Sequence, residues 1–227
     1  MNYIKSLILN RFDTIFKVSL SIIISLTLLI IRLKIHQSFF LLFLVWNIFL
    51  AIIPFAITLH LKFHKSENKF TFFLWFFLWL LFLPNAPYIV TDFVHLKHNT
   101  GYYKWLDFLL ILSFAINGLI MFCISLQDMK QLLKTYIKWS IYRTFDVLIC
   151  LLSAFGIYIG RFLRFNSWDI IQDPIQLINE IMTLILKPVS SWKVWLFILV
   201  FGIFLIIIFN IYTWYINSHK LKVYGVQ

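Results

Sequence analysis

The sequence predicts an all-α fold: a polytopic membrane helix bundle of about six transmembrane helices, forming one integral membrane domain over residues 1–227. Three observations predict it. Hydrophobic residues make up 62% of the chain and charged residues 13%, whereas a soluble domain holds about 45–50% and about 25%. Mean hydropathy is +0.89, so lipid must be part of the solvent. Apolar stretches also recur along the whole chain, which leaves no segment for a separate soluble domain.

The first span covers Thr14 to Ile31, where Lys17 near the helix end can snorkel to the interface. Lys5, Arg11 and Lys17 ahead of Val18 to Ile31 resemble the start of a signal peptide. Arg32 and Lys34 follow without a small-residue cleavage site, so the segment reads as a retained anchor. Ser38 to Leu59, Phe108 to Gln127 and Val194 to Ser218 supply the second, fourth and sixth spans. Each meets the roughly 20 residues needed to cross the hydrocarbon.

The third and fifth spans are short. Phe70 to Leu83 is apolar throughout, but its length as a helix is only about 21 Å. The crossing must continue through Pro84-Asn85-Ala86-Pro87-Tyr88-Ile89-Val90. Each proline removes a donor and clashes with the preceding turn, so the third helix is expected to break at Pro84 and Pro87. Broken backbone at that depth survives only against protein or a wet cavity. The fifth span, Val147 to Gly160, is flanked by Arg143 and Asp146 on one side and Arg161 and Arg164 on the other. Gly156 and Gly160 within it form a small-xxx-small pattern suited to close helix approach.

Two connecting segments are expected to be amphipathic surface helices, in loops four and five. In loop four, Lys130, Lys134 and Lys138 share one helical face, with Leu133 and Ile137 on another, a pattern that suits an anionic membrane surface. In loop five, Asp173-Pro174 offers an N-cap followed by proline at the first helical position. An apolar stripe of Ile175, Ile178, Met182 and Ile185 runs on to Pro188.

The net charge of +11 would suggest nucleic acid in a soluble protein. Here the basic residues lie between apolar spans, so the expected partners are the lipid bilayer and anionic lipid headgroups, and no nucleic acid is expected. With the N-terminus in the cytoplasm, 12 Lys+Arg fall on the inner side and 8 on the outer, a bias that favours both termini in the cytoplasm. Richness in Phe, Ile, Lys and Asn suggests an AT-rich bacterial genome and hence the plasma membrane. Cys123 and Cys150 lie inside apolar spans, which points to neither a disulfide framework nor a zinc site.

Loops three and five share a face of the membrane whichever way the chain is oriented. The chemically unusual residues gather there, in Pro84-Asn85-Ala86-Pro87-Tyr88-Ile89-Val90-Thr91-Asp92-Phe93-Val94-His95-Leu96 and in Gly156-Ile157-Tyr158-Ile159-Gly160-Arg161-Phe162-Leu163-Arg164-Phe165-Asn166-Ser167-Trp168-Asp169. Both stretches resemble the signature segments of an uncharacterised family of bacterial integral membrane proteins, domain of unknown function 1361. The resemblance extends from about the second span to the end of the chain. It implies fold and location and names no reaction.

Asp92 and His95, at i and i+3 with His98 nearby, could shuttle a proton as an acid–base pair or contribute two ligands to a divalent metal. The plainer expectation is that Thr91 or Asp92 caps a helix restarting after the prolines. Arg161 and Arg164, also i and i+3, offer two guanidinium forks for a phosphate or carboxylate, with Asn85, Tyr88, Asn166 and Asp169 beside them. They could equally snorkel to headgroups, or pair with Asp92, Asp107 or Asp169. Asp107 opens the fourth span, and Asn117-Gly118 lies at its middle, where an asparagine often serves as interhelical glue. Asp146 is placed to pair with Arg143. Tyr88, Trp105, Tyr158 and Trp168 fit an interfacial aromatic belt.

No serine-nucleophile elbow, phosphate-cradling loop or CxxC pair occurs, and no cofactor is named by any motif. Three readings follow. The first is binding or processing of a phosphorylated lipid or lipid-linked anionic ligand at the outer membrane face. The second is a small-solute or ion carrier built on the broken helix. The third is a membrane scaffold or assembly protein. Whether the chain is an enzyme is left open among them.

Overall fold

The computed structural model describes residues 3–63, 68–98, 104–165, 172–187 and 190–223. Every regular element among them is helical: α1 Tyr3–His36, α2 Phe43–Phe63, α3 Lys69–Phe82, α4 Asn85–Tyr88, α5 Lys104–Leu133, α6 Trp139–Tyr158, α7 Pro174–Leu186 and α8 Trp192–Val223. Three tighter or wider turns join them, a 3₁₀ turn at Phe40–Leu42, a 3₁₀ helix at Ile89–His98 and a π-helical turn at Ile159–Leu163. Among the described residues, six helical stretches are long and apolar enough to cross a membrane: Arg11–Ile35, Phe40–Phe63, Lys69–Leu96, Lys104–Leu133, Trp139–Leu163 and Trp192–Ser218. The expected all-α polytopic bundle is therefore present. Contacts divide the chain into two compact units, Met1–Asp128 and Met129–Gln227.

In the first unit, α1 turns a narrow stripe inward. Val18, Ser25, Leu29 and Arg32 are buried, while Phe16, Leu20, Ile23, Ile24, Ile30 and Ile31 are exposed. Such an outward apolar face is stable only in hydrocarbon. The α5 span is the most enclosed, with 67% of its apolar window buried against 17% for the first span. Asn117 on α5 works as the expected glue: its Nδ2 donates to Ser25 Oγ at 2.9 Å and to the Ser113 carbonyl at 3.0 Å. Deeper in, Trp79 Nε1 donates to Ser125 Oγ at 2.7 Å, and Ser125 Oγ donates to the Pro54 carbonyl at 2.9 Å. One hydroxyl thus links α2, α3 and α5.

The third span breaks where the prolines require it, without leaving right-handed helical backbone. Leu83, Pro84 and Ile89 all keep α-region angles. What changes is the bonding. The Ala86 N–H reaches only as far as the Leu83 carbonyl, at 3.2 Å. That leaves the Phe82 carbonyl without its usual donor, and the Asn85 side-chain amide supplies one at 3.0 Å. The chain then winds into ten residues of 3₁₀ helix, Ile89–His98. Runs of this length are uncommon because 3₁₀ bonds are poorly aligned.

In the second unit α6 packs along α8. Leu184 of α7 joins Ala154, Val194 and Ile198 in one buried cluster. The fifth span is longer than expected, since α6 begins at Trp139 and carries Arg143 and Asp146 within it. The close approach falls on Gly202 of α8, where a β-carbon would meet Leu151 Cδ2 at 2.6 Å; Gly156 and Gly160 are half-buried. Asp146 pairs with Lys130 at 2.9 Å rather than with Arg143. Lys130 also lies over the Tyr142 ring.

Loop four does not form the separate basic helix expected of it. Buried Leu126, Met129 and Leu133 continue the inward face of α5, so that helix runs on to Leu133. The Tyr136 and Ile137 N–H groups then close a turn on the Leu133 carbonyl, and Lys138 flanks the start of α6. Loop five does form its surface helix. Asp173 accepts from the Gln176 N–H at 3.2 Å, with Pro174 at the helix start. Leu177 and Leu184 face protein, while the stripe of Ile175, Ile178, Met182 and Ile185 is exposed, as a helix lying in the interface requires. Pro188 lies outside the described residues.

Candidate functional site

The break at Pro84 and Pro87 creates the most distinctive polar arrangement in the first unit. The 3₁₀ helix that follows carries the Asp92 side chain into the interior, with 1% of it exposed. A carboxylate there needs donors or a counter-charge. Asn47 of α2 provides one: its Nδ2 donates to Asp92 Oδ2 at 2.8 Å. The other oxygen, Oδ1, lies 3.9 Å from His95 Nε2. His95 is 28% exposed, with its ring against Phe43 at 5.0 Å and Phe40 at 5.7 Å. The order is therefore amide, buried carboxylate, part-exposed imidazole.

That order has chemical content. Asn47 fixes one carboxylate oxygen and directs the other towards the imidazole. The exposed edge of the imidazole can exchange a proton with whatever lies outside. The pair expected from sequence is thus brought together, but the capping role is not realised. Thr91 and Asp92 lie inside the 3₁₀ helix rather than at the start of a new α-helix, and Thr91 Oγ1 donates to the Tyr88 carbonyl at 2.7 Å.

Asp107, at the start of α5, is paired with Arg32 of α1. Arg32 Nε donates to Asp107 Oδ1 at 2.9 Å, and its Nη1 to the Ser38 carbonyl at 2.5 Å. Only 3% and 4% of the two side chains are exposed. Sequence reasoning placed Arg32 in a loop and missed this bond, as it missed Asn47. Both were visible as polar residues at the edge of apolar runs, but nothing in their spacing names a partner 75 or 45 residues away.

The remaining expected site residues divide. Asn85 serves the backbone through Phe82, and both Asn85 and Tyr88 are half-buried. Arg161 and Arg164 belong to the second unit. Arg161 sits half-buried on the π-helical turn, whereas Arg164 lies beyond it, exposed and left-handed at φ 62°. Its N–H closes the wide turn on the Ile159 carbonyl. They therefore do not share a helical face as the i, i+3 spacing suggested, because the helix ends between them. Asn166, Trp168 and Asp169 lie outside the described residues, as does the side chain of His98. Among the described residues no group of three or more His, Cys, Asp or Glu side chains is arranged to hold a metal.

Comparison with known proteins agrees with the two motifs. No curated protein and no solved structure matches the chain. A family model described as protein of unknown function (DUF1361) matches residues 46–208, a range that includes Asn47, the Pro84–Leu96 segment and the arginine turn. The chain belongs to this family, DUF1361.

Proposed function

We propose that this protein binds a phosphorylated lipid or lipid-linked anionic ligand at the outer face of the plasma membrane, and that Asp92 and His95 move a proton on it. The carrying observation is the Asn47–Asp92–His95 series, in which a buried carboxylate is fixed on one side and faces a part-exposed imidazole on the other. A structural aspartate needs the asparagine but gains little from a histidine open to the surroundings. General acid–base groups are arranged in this order. Arg161 and Arg164, with Asn166 and Asp169, are the proposed holders of the anion. Loops three and five share a side of the bilayer in a six-span chain, here the outer side, with both termini cytoplasmic, as the positive-inside rule favours. The chain acts in this reading as a single membrane domain.

Native mass spectrometry of protein purified in mild detergent tests it. Wild type is expected to retain a phosphate-bearing lipid that folded Arg161→Ala/Arg164→Ala loses, and Asp92→Asn is expected to retain it. Equal retention by wild type and the arginine variant would end the anion assignment. A carrier is the second reading, favoured by the α-to-3₁₀ break in the third span, since discontinuous helices line transport sites. Proton-dependent uptake into proteoliposomes would move it ahead.

A further inference from the structure

The first unit holds a second charged cluster, at the opposite end of its helices from Asp92. Arg11 opens the first apolar span, Lys62 closes the second and Asp128 lies near the end of α5. Arg11 Nη2 donates to Asp128 Oδ1 at 2.8 Å, and Lys62 Nζ donates to that same oxygen at 2.5 Å. Asp128 Oδ2 is buried and has no hydrogen-bond partner among the described residues.

This is an unusual way to neutralise a buried carboxylate. An arginine facing an isolated carboxylate commonly engages both oxygens with its fork. Here one oxygen draws two cations together, and among the described residues the other has no donor, at the desolvation cost of an unmade bond. Two cations converging on a single oxygen are instead what a phosphate oxygen receives from a binding site. The burial is graded in the same sense: Asp128 is 3% exposed, Lys62 17% and Arg11 27%. An anion arriving from outside the bundle meets the cations before it meets the carboxylate. All three residues stand at span ends, the depth of lipid headgroups.

We propose that Arg11 and Lys62 form a binding site for the phosphate of an anionic phospholipid, in the leaflet next to the start of α1, and that Asp128 occupies it from within as a stand-in anion. The site shares no residue with the one proposed at Arg161 and Arg164.

The test compares full-length wild type with Asp128→Asn in bilayers of phosphatidylcholine, alone or mixed with phosphatidylglycerol. The unfolding temperature of Asp128→Asn is expected to fall in phosphatidylcholine and to recover with phosphatidylglycerol, whose phosphate restores the lost negative charge beside Arg11 and Lys62. An equal fall in both bilayers overturns the proposal. Recovery by inorganic phosphate in phosphatidylcholine alone overturns the assignment to lipid. Arg11→Gln in the otherwise native chain keeps the question decidable if Asp128→Asn does not fold. Native mass spectrometry of Arg11→Gln should show retained phosphatidylglycerol reduced about tenfold, the effect of one lost charge-assisted contact; retention equal to wild type overturns the site.

Discussion

Gly118 of α5 receives the backbone carbonyl of Ala86: a β-carbon on the glycine would stand 2.2 Å from that oxygen and 3.3 Å from Ile89 Cδ1. The obstacle is backbone, in the segment fixed by Pro84 and Pro87, so it cannot rotate aside. Gly118→Ala is expected to cost about 3 kcal/mol or more, at the upper end of overpacking effects. Thermal unfolding in detergent measures it. A variant as stable as wild type would show that α4 can move away from α5.

Arg32 and Asp107 form a buried pair whose separate loss strands a charge. Arg32→Leu and Asp107→Leu should each destabilise by about 3–5 kcal/mol, and the double variant by less than either. The double-mutant cycle is the measurement. Additive losses would mean that the two residues contribute independently.

Asn47→Leu removes the donor to Asp92 Oδ2 while keeping similar bulk. The loss expected is about 3 kcal/mol, that of a buried acceptor left short of a bond. Asp92→Asn in the same background should restore part of it, since an amide tolerates the apolar neighbour better than a carboxylate. Unfolding temperatures of the three variants decide the point.

Ser125→Ala deprives the Trp79 indole of an acceptor and the Pro54 carbonyl of a donor in one step. About 1–3 kcal/mol is expected, with Ser125→Thr close to wild type. Tryptophan fluorescence during unfolding, compared with circular dichroism, would show whether the region around Trp79 loosens first.

Much of this architecture is legible in the sequence because lipid imposes a simple rule: a spanning segment must be apolar and long enough. Both short spans drew attention for that reason, and both proved to be where the winding departs from α. The extent of α6 was less legible, because Arg143 and Asp146 read as span boundaries until Lys130 is seen to neutralise Asp146. Charge pairing was the least legible feature. Asp92 and His95 are three residues apart and were read together, whereas Arg32, Asn47, Arg11, Lys62 and Asp128 find partners only after whole helices pack. A polar residue at a span end announces that it needs a partner, and only the fold names which one. The arginine pair shows the converse error. An i, i+3 spacing implies a shared face only while the helix lasts, and it stops before Arg164.

The winding of the Ile89–His98 segment carries information that its residues alone do not. With 3.0 residues per turn, Asp92 and His95 project in the same direction and lie one directly above the other. In an α-helix the same two residues would be offset by about 60° around the axis, because each step turns about 100°. Rewinding the segment would also shorten it by about 0.5 Å per residue, the difference between the two rises. Alignment of carboxylate and imidazole is thus coupled to the length of the third span.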